Sequence, residues 1–478
     1  MKKSSLVYLI ISLLLVLSIP ISILSCGFGI PSQFDETYYG ELPHMFNRLK
    51  EAKKEKIIIL GNSAVAFATR TDLIEEELDK DVVLFGLYAA IGTKTMMDLS
   101  KVNISKGDVV VFAPEISTQG LSLYFSARNT WRAVDGHFEM LNYIANENRK
   151  VMIGNFANFT AEKFDYFVNG AKPNVNGVYQ QESFDLDGKE VGYMTYDRPY
   201  NIMLDGNNDE TISFDDVLIQ EDFIDYVNDY ANYVRSKGAD IYFDFTPMNK
   251  LIFEDEAFEE AEAFVNKLKE KLNIRFIGDI SNYILDYRWF FDNNVHMNSS
   301  GMYVYTNQLV EDLKVVFEDS SPTNIVIPQI PDVPLPNYED GDNSYEDCFT
   351  YKNIRRGCMI TGLTEKGKDQ SFMVIPSMHD ELPVLAFNAT TFQDNKEIRE
   401  LVIPKNTRSL MDNSFKGCTN LTRLILQHEN PNYLNVGTAL LAGADSCYVY
   451  VLDEYYDNFA NHYNWSYYKD RLTKYVKS

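Results

Sequence analysis

Between Lys56 and Phe317 short apolar runs alternate with amphipathic stretches, and this rhythm restricts the fold more than any other feature of the chain. Ile57-Ile58-Ile59-Leu60, Val82-Val83-Leu84-Phe85, Val109-Val110-Val111-Phe112, Ile241-Tyr242-Phe243 and Ile274-Arg275-Phe276-Ile277 read as buried strands. Between them, Phe223, Val227, Tyr230, Ala231 and Val234 share one helical face, as do Met302, Tyr305, Leu309, Leu313 and Val316. Strand and helix in alternation predict an α/β domain on a doubly wound parallel sheet. The stretch from Lys172 to Gln220, with its Asn, Asp, Gly and isolated aromatics, breaks the rhythm. It reads as an insertion with local hairpins, either a wall over a site or decoration.

From Asp319 to Asp347 the prolines 322, 328, 331, 334 and 336 predict a semi-rigid extended linker. Beyond it a repeat appears: the stretch from Thr391 to Ile403 aligns with that from Ser414 to Leu426 at one fixed offset. Phe, Ile/Leu, Leu, Val/Ile and Ile/Leu recur in step, as stacked solenoid turns require. With Val402-Ile403-Pro404 ahead of Phe415-Lys416-Gly417-Cys418-Thr419-Asn420-Leu421, these residues resemble the BspA-like leucine-rich repeats of bacterial surface proteins. That resemblance covers about 350–478 and implies a short solenoid of which two repeats are obvious. Tyr448-Val449-Tyr450-Val451 and Trp465-Ser466-Tyr467-Tyr468 look like the strand and cap that close such arrays. Cys418 is expected as a packed free thiol rather than a disulfide partner of Cys447.

The length of 478 residues predicts two folded domains. A formal charge of −25 excludes nucleic acid as a partner, because phosphate backbones are bound by clustered Lys and Arg. The five cysteines (Cys26, Cys348, Cys358, Cys418, Cys447) lie outside the predicted α/β domain and have no structural-zinc spacing, so neither metal nor cofactor is expected. Met1-Lys2-Lys3 and the apolar run from Leu6 to Leu24 predict a membrane anchor, with the rest of the chain outside the cytoplasm. Ile23-Leu24-Ser25-Cys26 loosely matches a lipobox; a retained single span is the simpler expectation.

Ile57-Ile58-Ile59-Leu60-Gly61-Asn62-Ser63 places a serine where a buried strand ends and a helix begins. Such a place suits a nucleophile, since strand C-termini face the ligand crevice and the helix N-terminus offers N–H groups to an oxyanion. The same serine would serve equally as a plain helix cap. Between Ser63 and the linker only His137 and His296 are available as bases. His296 lies in the loop before the last predicted helix, with Asp292 four residues ahead to hold its tautomer. His137, near Asp135, lacks that position and reads as structural or substrate-facing.

In their order at the two ends of an α/β domain, these segments resemble the SGNH/GDSL hydrolase superfamily, over about Lys56 to Phe317. The resemblance implies a flavodoxin-like fold with Ser63 as nucleophile, His296 as general base and Asp292 as orienting acid. It assigns oxyanion or substrate contacts to Asn62, Gly86, Gly92 and Glu115. Two departures stand out. The position three residues before His296 is Asn293, and the block that usually supplies an oxyanion-hole Asn reads Ala113-Pro114-Glu115-Ile116. Glu115 donates no hydrogen bond unless protonated, and Gly86 or Gly92 could equally be required by a tight turn. The expected activity is that of a membrane-anchored serine esterase or O-acyltransferase acting on O-acyl, chiefly acetyl, groups of cell-surface glycans. Its rival is a non-catalytic surface protein that binds a protein partner through the repeats. The expected segments are 1–30 (membrane anchor or signal), 31–318 (hydrolase-like domain), 319–347 (linker) and 348–478 (repeat domain).

Overall fold

Strand β1 (Lys56–Gly61) is buried along its whole length, and even Lys56 is enclosed, its Nζ donating to Asp108 Oδ2 at 2.7 Å. Four further strands, β2 (Asp81–Gly86), β3 (Val109–Ala113), β4 (Asp240–Phe243) and β5 (Arg275–Phe276), complete an all-parallel sheet in the order β2-β1-β3-β4-β5. The five apolar runs read from the sequence supply these strands. The molecule is known from a computed structural model that describes residues 18–170, 177–198, 214–250, 257–331, 341–354, 357–437, 439–462 and 465–476. Most of the expected anchor run lies outside these residues. Among them, no helix is long and apolar enough to cross a membrane.

The described residues fall into two compact units, one within Met1–Asp197, Ile212–Leu285 and Val295–Gln329, the other within Arg198–Thr211, Asp286–Asn294 and Ile330–Ser478. In the first, the sheet unit, helices lie between and after the strands: α1 (Ser63–Ala68), α2 (Thr93–Ser100), α3 (Asn146–Asn169), α4 (Glu221–Ser236) and α5 (Gly301–Val316) among them. The apolar face predicted for α4 is buried, as are Met302, Tyr305, Leu309 and Leu313 of α5. Among the described residues, the inserted stretch contains one short hairpin, Asp185–Leu186 against Lys189–Glu190.

The second unit, the repeat unit, is a solenoid of stacked parallel strands. Strands β6 (Phe349–Ile354) and β7 (Gly357–Leu363) open it as an antiparallel pair. Strands β8 (Phe372–Val374), β10 (Glu400–Ile403), β12 (Arg423–Leu426), β14 (Tyr448–Leu452) and β15 (Leu472–Tyr475) form a five-stranded parallel sheet. Strands β9 (Leu382–Phe387), β11 (Ser409–Leu410) and β13 (Asn435–Val436) continue from β7 as a second parallel run. Glu400 pairs with Arg423 and Ile403 with Leu426, the offset at which the two sequence repeats align. Met373, Leu401, Leu424, Val449 and Leu472 point inward from successive rungs, over a core that includes Phe392, Phe415 and Trp465. All five cysteines are free. The buried Cys418 donates to the Phe392 carbonyl at 2.8 Å, and burial pushes its thiol up to about 11.

Candidate functional site

β1 ends at Gly61, and Asn62 caps α1 by accepting from the Ala64 amide at 3.4 Å. Ser63 therefore opens a helix at the carboxyl end of a central strand, as its sequence context predicts. Two glycines permit this close junction. A Cβ on Gly86, paired with Gly61 across the sheet, would lie 2.4 Å from Val65 Cγ2 and 2.9 Å from the Asn62 carbonyl. One on Gly61 would lie 2.5 Å from the Ala113 carbonyl. The Gly86 requirement is thus the approach of α1 to the sheet. Asn62 is buried, and its Nδ2 has no hydrogen-bond partner, which leaves a donor unspent beside Ser63.

The His296 ring is buried and lies flat on Phe67 of α1, with centroids 3.8 Å apart and planes 8° from parallel. Phe67 follows Ser63 by four residues, so both side chains share one face of α1 and His296 is brought to that face. Its Nδ1 lies 3.4 Å from the hydroxyl of Tyr179. Among the described residues the Ser63 hydroxyl makes no hydrogen bond, to His296 or to any other group.

The remaining expected residues lie in different settings. Asp292 belongs to the segment Asp286–Asn294, which groups with the repeat unit, whereas Ser63 and His296 belong to the sheet unit. Gly92 adopts φ +95° at the start of α2, a left-handed conformation that favours glycine, and its amide already donates to the Ala89 carbonyl at 3.0 Å. Glu115 is half-buried just after β3, and its carbonyl accepts from Ser117 at 2.9 Å within a tight turn. His137 is half-buried and lies 3.9 Å from Asp35, while Asp135 is fully buried against Lys163. Sequence reasoning missed Tyr179, which sits in the irregular insertion with no spacing to mark it. It also missed Phe67, which a helical-face reading of Ser63 could have found.

Among the described residues, one group has three side chains placed to share a metal ion, Glu346, His379 and Asp380 in the repeat unit. His379 Nδ1 meets Glu346 Oε1 at 2.6 Å, and its ring stacks on Tyr351 at 3.7 Å. Those two contacts hold the imidazole in place without an ion.

On the face opposite its core, the parallel sheet of the repeat unit carries two rows of side chains, the second of which includes the buried Val374 and Val402. Phe372, Glu400, Arg423 and Tyr448 form one row in register, and Val374, Val402, Ile425 and Tyr450 the next. Arg423 donates to Glu400 at 3.0 Å and lies 4.7 Å from the Tyr450 ring centroid. Phe372 and Tyr448, at 39% and 49% exposure, leave aromatic surface open at the two ends of the first row.

No protein-family model matches the chain, and no curated protein sequence matches it. Among solved structures, a leucine rich cell surface protein from Faecalibacterium prausnitzii A2-165 is similar to part of it. The identity is 22% over 25% of this chain and 30% of that one, with a TM-score of 0.19. The T. pallidum leucine rich repeat protein is similar at 21% identity over 24% of this chain and 61% of that one, with a TM-score of 0.18. The chain thus spans less than two thirds of the length of either.

Proposed function

We propose that this chain is a cell-surface interaction protein whose repeat unit presents the binding face. The outward row Phe372-Glu400-Arg423-Tyr448 carries the reading. It sets two exposed aromatic rings on either side of an ion pair, on a rigid parallel sheet, and exposed aromatic and Arg side chains are the types that dominate interface energetics. A photo-crosslinking amino acid at Tyr448, in the chain carried by its own cells, tests it. The expected result is a discrete protein adduct that Arg423→Glu removes. No adduct, or one indifferent to Arg423→Glu, overturns it.

A second reading, acyl transfer in the sheet unit, is favoured by the seating of His296 on the helix that Ser63 opens. The order β2-β1-β3-β4-β5 is that of flavodoxin-like doubly wound sheets, whose ligands sit at the carboxyl ends of the strands near β1 and β3. On this reading His296 takes the Ser63 proton and Ser63 Oγ attacks an ester carbonyl. The Asn62 amide donates to the oxyanion, and the alcohol leaves with the proton from His296. Water or a sugar hydroxyl then takes the acyl group, with O-acylated surface glycans as the substrate class. The Tyr179 hydroxyl, 3.4 Å from Nδ1, helps orient the imidazole. A fluorophosphonate probe should label Ser63 and lose that label in Ser63→Ala, while His296→Ala should lower the turnover of activated acetate esters about 10²–10⁴-fold. A folded protein with no labelling at Ser63 sinks this second reading and leaves the first intact.

A further inference from the structure

Helix α3 runs for 24 residues and is apolar on two sides. Met152 and Phe159 are buried on one. On the other, Ile153, Ala157, Ala161, Phe164 and Val168 follow the spacing of a single helical stripe about four turns long, and all five are exposed, Ile153 at 72%. No charged residue interrupts the helix between Val151 and Ala161. A contiguous exposed stripe of this kind marks an interaction face.

The chain that precedes the sheet unit is fixed to this same helix. Residues 18–29 are helical, and the Phe28 ring stacks on Phe156 of α3 at 4.8 Å. A Cβ on Gly27 would lie 2.3 Å from Phe156 and 2.7 Å from Thr160, so the backbone runs directly over α3 there. Lys163 of α3, its side chain fully buried, donates to the Gly27 carbonyl at 3.1 Å and to Asp135 at 2.6 Å. Ahead of that clamp, Ile19, Ile21 and Leu24 are exposed. They are the described end of the apolar run from Leu6 to Leu24.

We propose that the α3 stripe and the helix ahead of Gly27 form one face that lies in the interface of a lipid bilayer, so that the sheet unit is docked on the membrane instead of tethered away from it. This rests on reading Leu6 to Leu24 as a membrane anchor. A chain that leaves the bilayer just before Cys26 is gripped at Gly27 by α3 within one helical turn, which leaves the helix no slack to stand off from the lipid. Phe, Ile and Val on a helix seated in this way insert at the headgroup boundary, as amphipathic interfacial helices do. The formal charge of −25 makes apolar insertion, not attraction to anionic lipid, the source of binding.

The full chain carrying Phe164→Trp, reconstituted in phosphatidylcholine vesicles brominated near the top of the acyl chains, provides the test. Its added emission should be quenched roughly two-fold or more beyond that of Val315→Trp, an exposed position on α5 away from the stripe. Equal quenching at the two positions in a chain that floats with the vesicles overturns docking and leaves the anchor standing. A chain that does not float overturns both. Cross-linking of Ala161→Cys chains to one another without quenching at Phe164→Trp gives the stripe to a second copy and likewise overturns the proposal.

Discussion

In the sheet unit the Lys163 ammonium lies against Asp135 with both side chains out of solvent, whereas in the repeat unit the buried His428 meets only a backbone carbonyl, that of Thr407 at 2.7 Å. The contrast extends through both cores. The sheet unit buries ionisable groups in sets, such as Lys56 with Asp108, and the Tyr283 hydroxyl with Asp244 at 3.0 Å and Asp312 at 2.7 Å. Burial, with Asp312 nearby, holds the Asp244 carboxyl well above the usual range. The Glu41 carboxyl is pushed up to about 7 by burial, against the pull of Arg48. The repeat unit holds two histidines neutral instead. Burial, helped by the Arg408 charge, holds His428 down to about 3, and burial alone holds His462 down to about 4. A layered α/β core has strand and helix ends from which one side chain can reach another. A stack of thin rungs offers its interior mostly carbonyls, so a buried imidazole there stays uncharged, while the charged Arg408 is met by the Lys405 carbonyl at 2.6 Å.

The largest effect should come from breaking a pair. Lys163→Met leaves Asp135 buried without its counter-charge, which should cost about 3–5 kcal/mol, and adding Asp135→Asn should recover much of that loss. Amide exchange along β3 should accelerate while exchange along β12 stays as it was. Equal acceleration in both units would erase the distinction drawn between them.

Next in size is a difference in the sign of the pH response. The folded value of His428 lies below its ordinary 6.5, so its stabilising contribution is complete above about 6.5 and is lost as pH falls toward about 3. The loss is on the order of 1.4 kcal/mol per pH unit across that window. Glu41 runs the other way. Its folded value is raised from 4.5 to about 7, so its contribution is complete below about 4.5 and is lost as pH rises to about 7. Acid should therefore open the repeat unit first. His428→Gln should flatten the acid limb in exchange measurements corrected for intrinsic rates, and Glu41→Gln should flatten the neutral limb of the sheet unit. A common pH trend in both units, untouched by either substitution, would refute the assignment.

The same contrast governs how far each unit could be read from the sequence. The central sheet strands were legible because each is an apolar run buried on both faces, as Ile57-Ile58-Ile59-Leu60 and Val109-Val110-Val111-Phe112 show. The repeat was legible where neighbouring rungs are joined by chain of one length, which makes the sequence offset and the strand register the same. Strand β8 escaped notice because Phe372 pairs with Glu400 across a longer loop, so it falls out of step with its neighbours. At the candidate site the residue types were legible and the contacts were not. Gly86 is marked as a glycine by sequence, but the Val65 methyl that requires it becomes visible only in three dimensions. The stacking of His296 on Phe67 and the approach of Tyr179 join segments that are distant along the chain, and no local pattern encodes such a meeting.

The smallest effect concerns the outward row of the repeat unit. Arg423 and Glu400 are both partly solvated, so screening limits their pair to roughly 0.2–1 kcal/mol, and the approach of the guanidinium to Tyr450 adds a contribution of similar size. Arg423→Met retains an unbranched apolar stem against Tyr450 and should lower stability by no more than about 1 kcal/mol, measured by denaturant midpoint. A larger loss would mean that the row holds the solenoid together, as the buried pairs hold the sheet unit. A small loss separates its two roles, because a side chain that contributes little to folding can be removed without disturbing the rungs beneath it. Any disappearance of the Tyr448 adduct in Arg423→Met would then report recognition at the surface and not collapse of the scaffold.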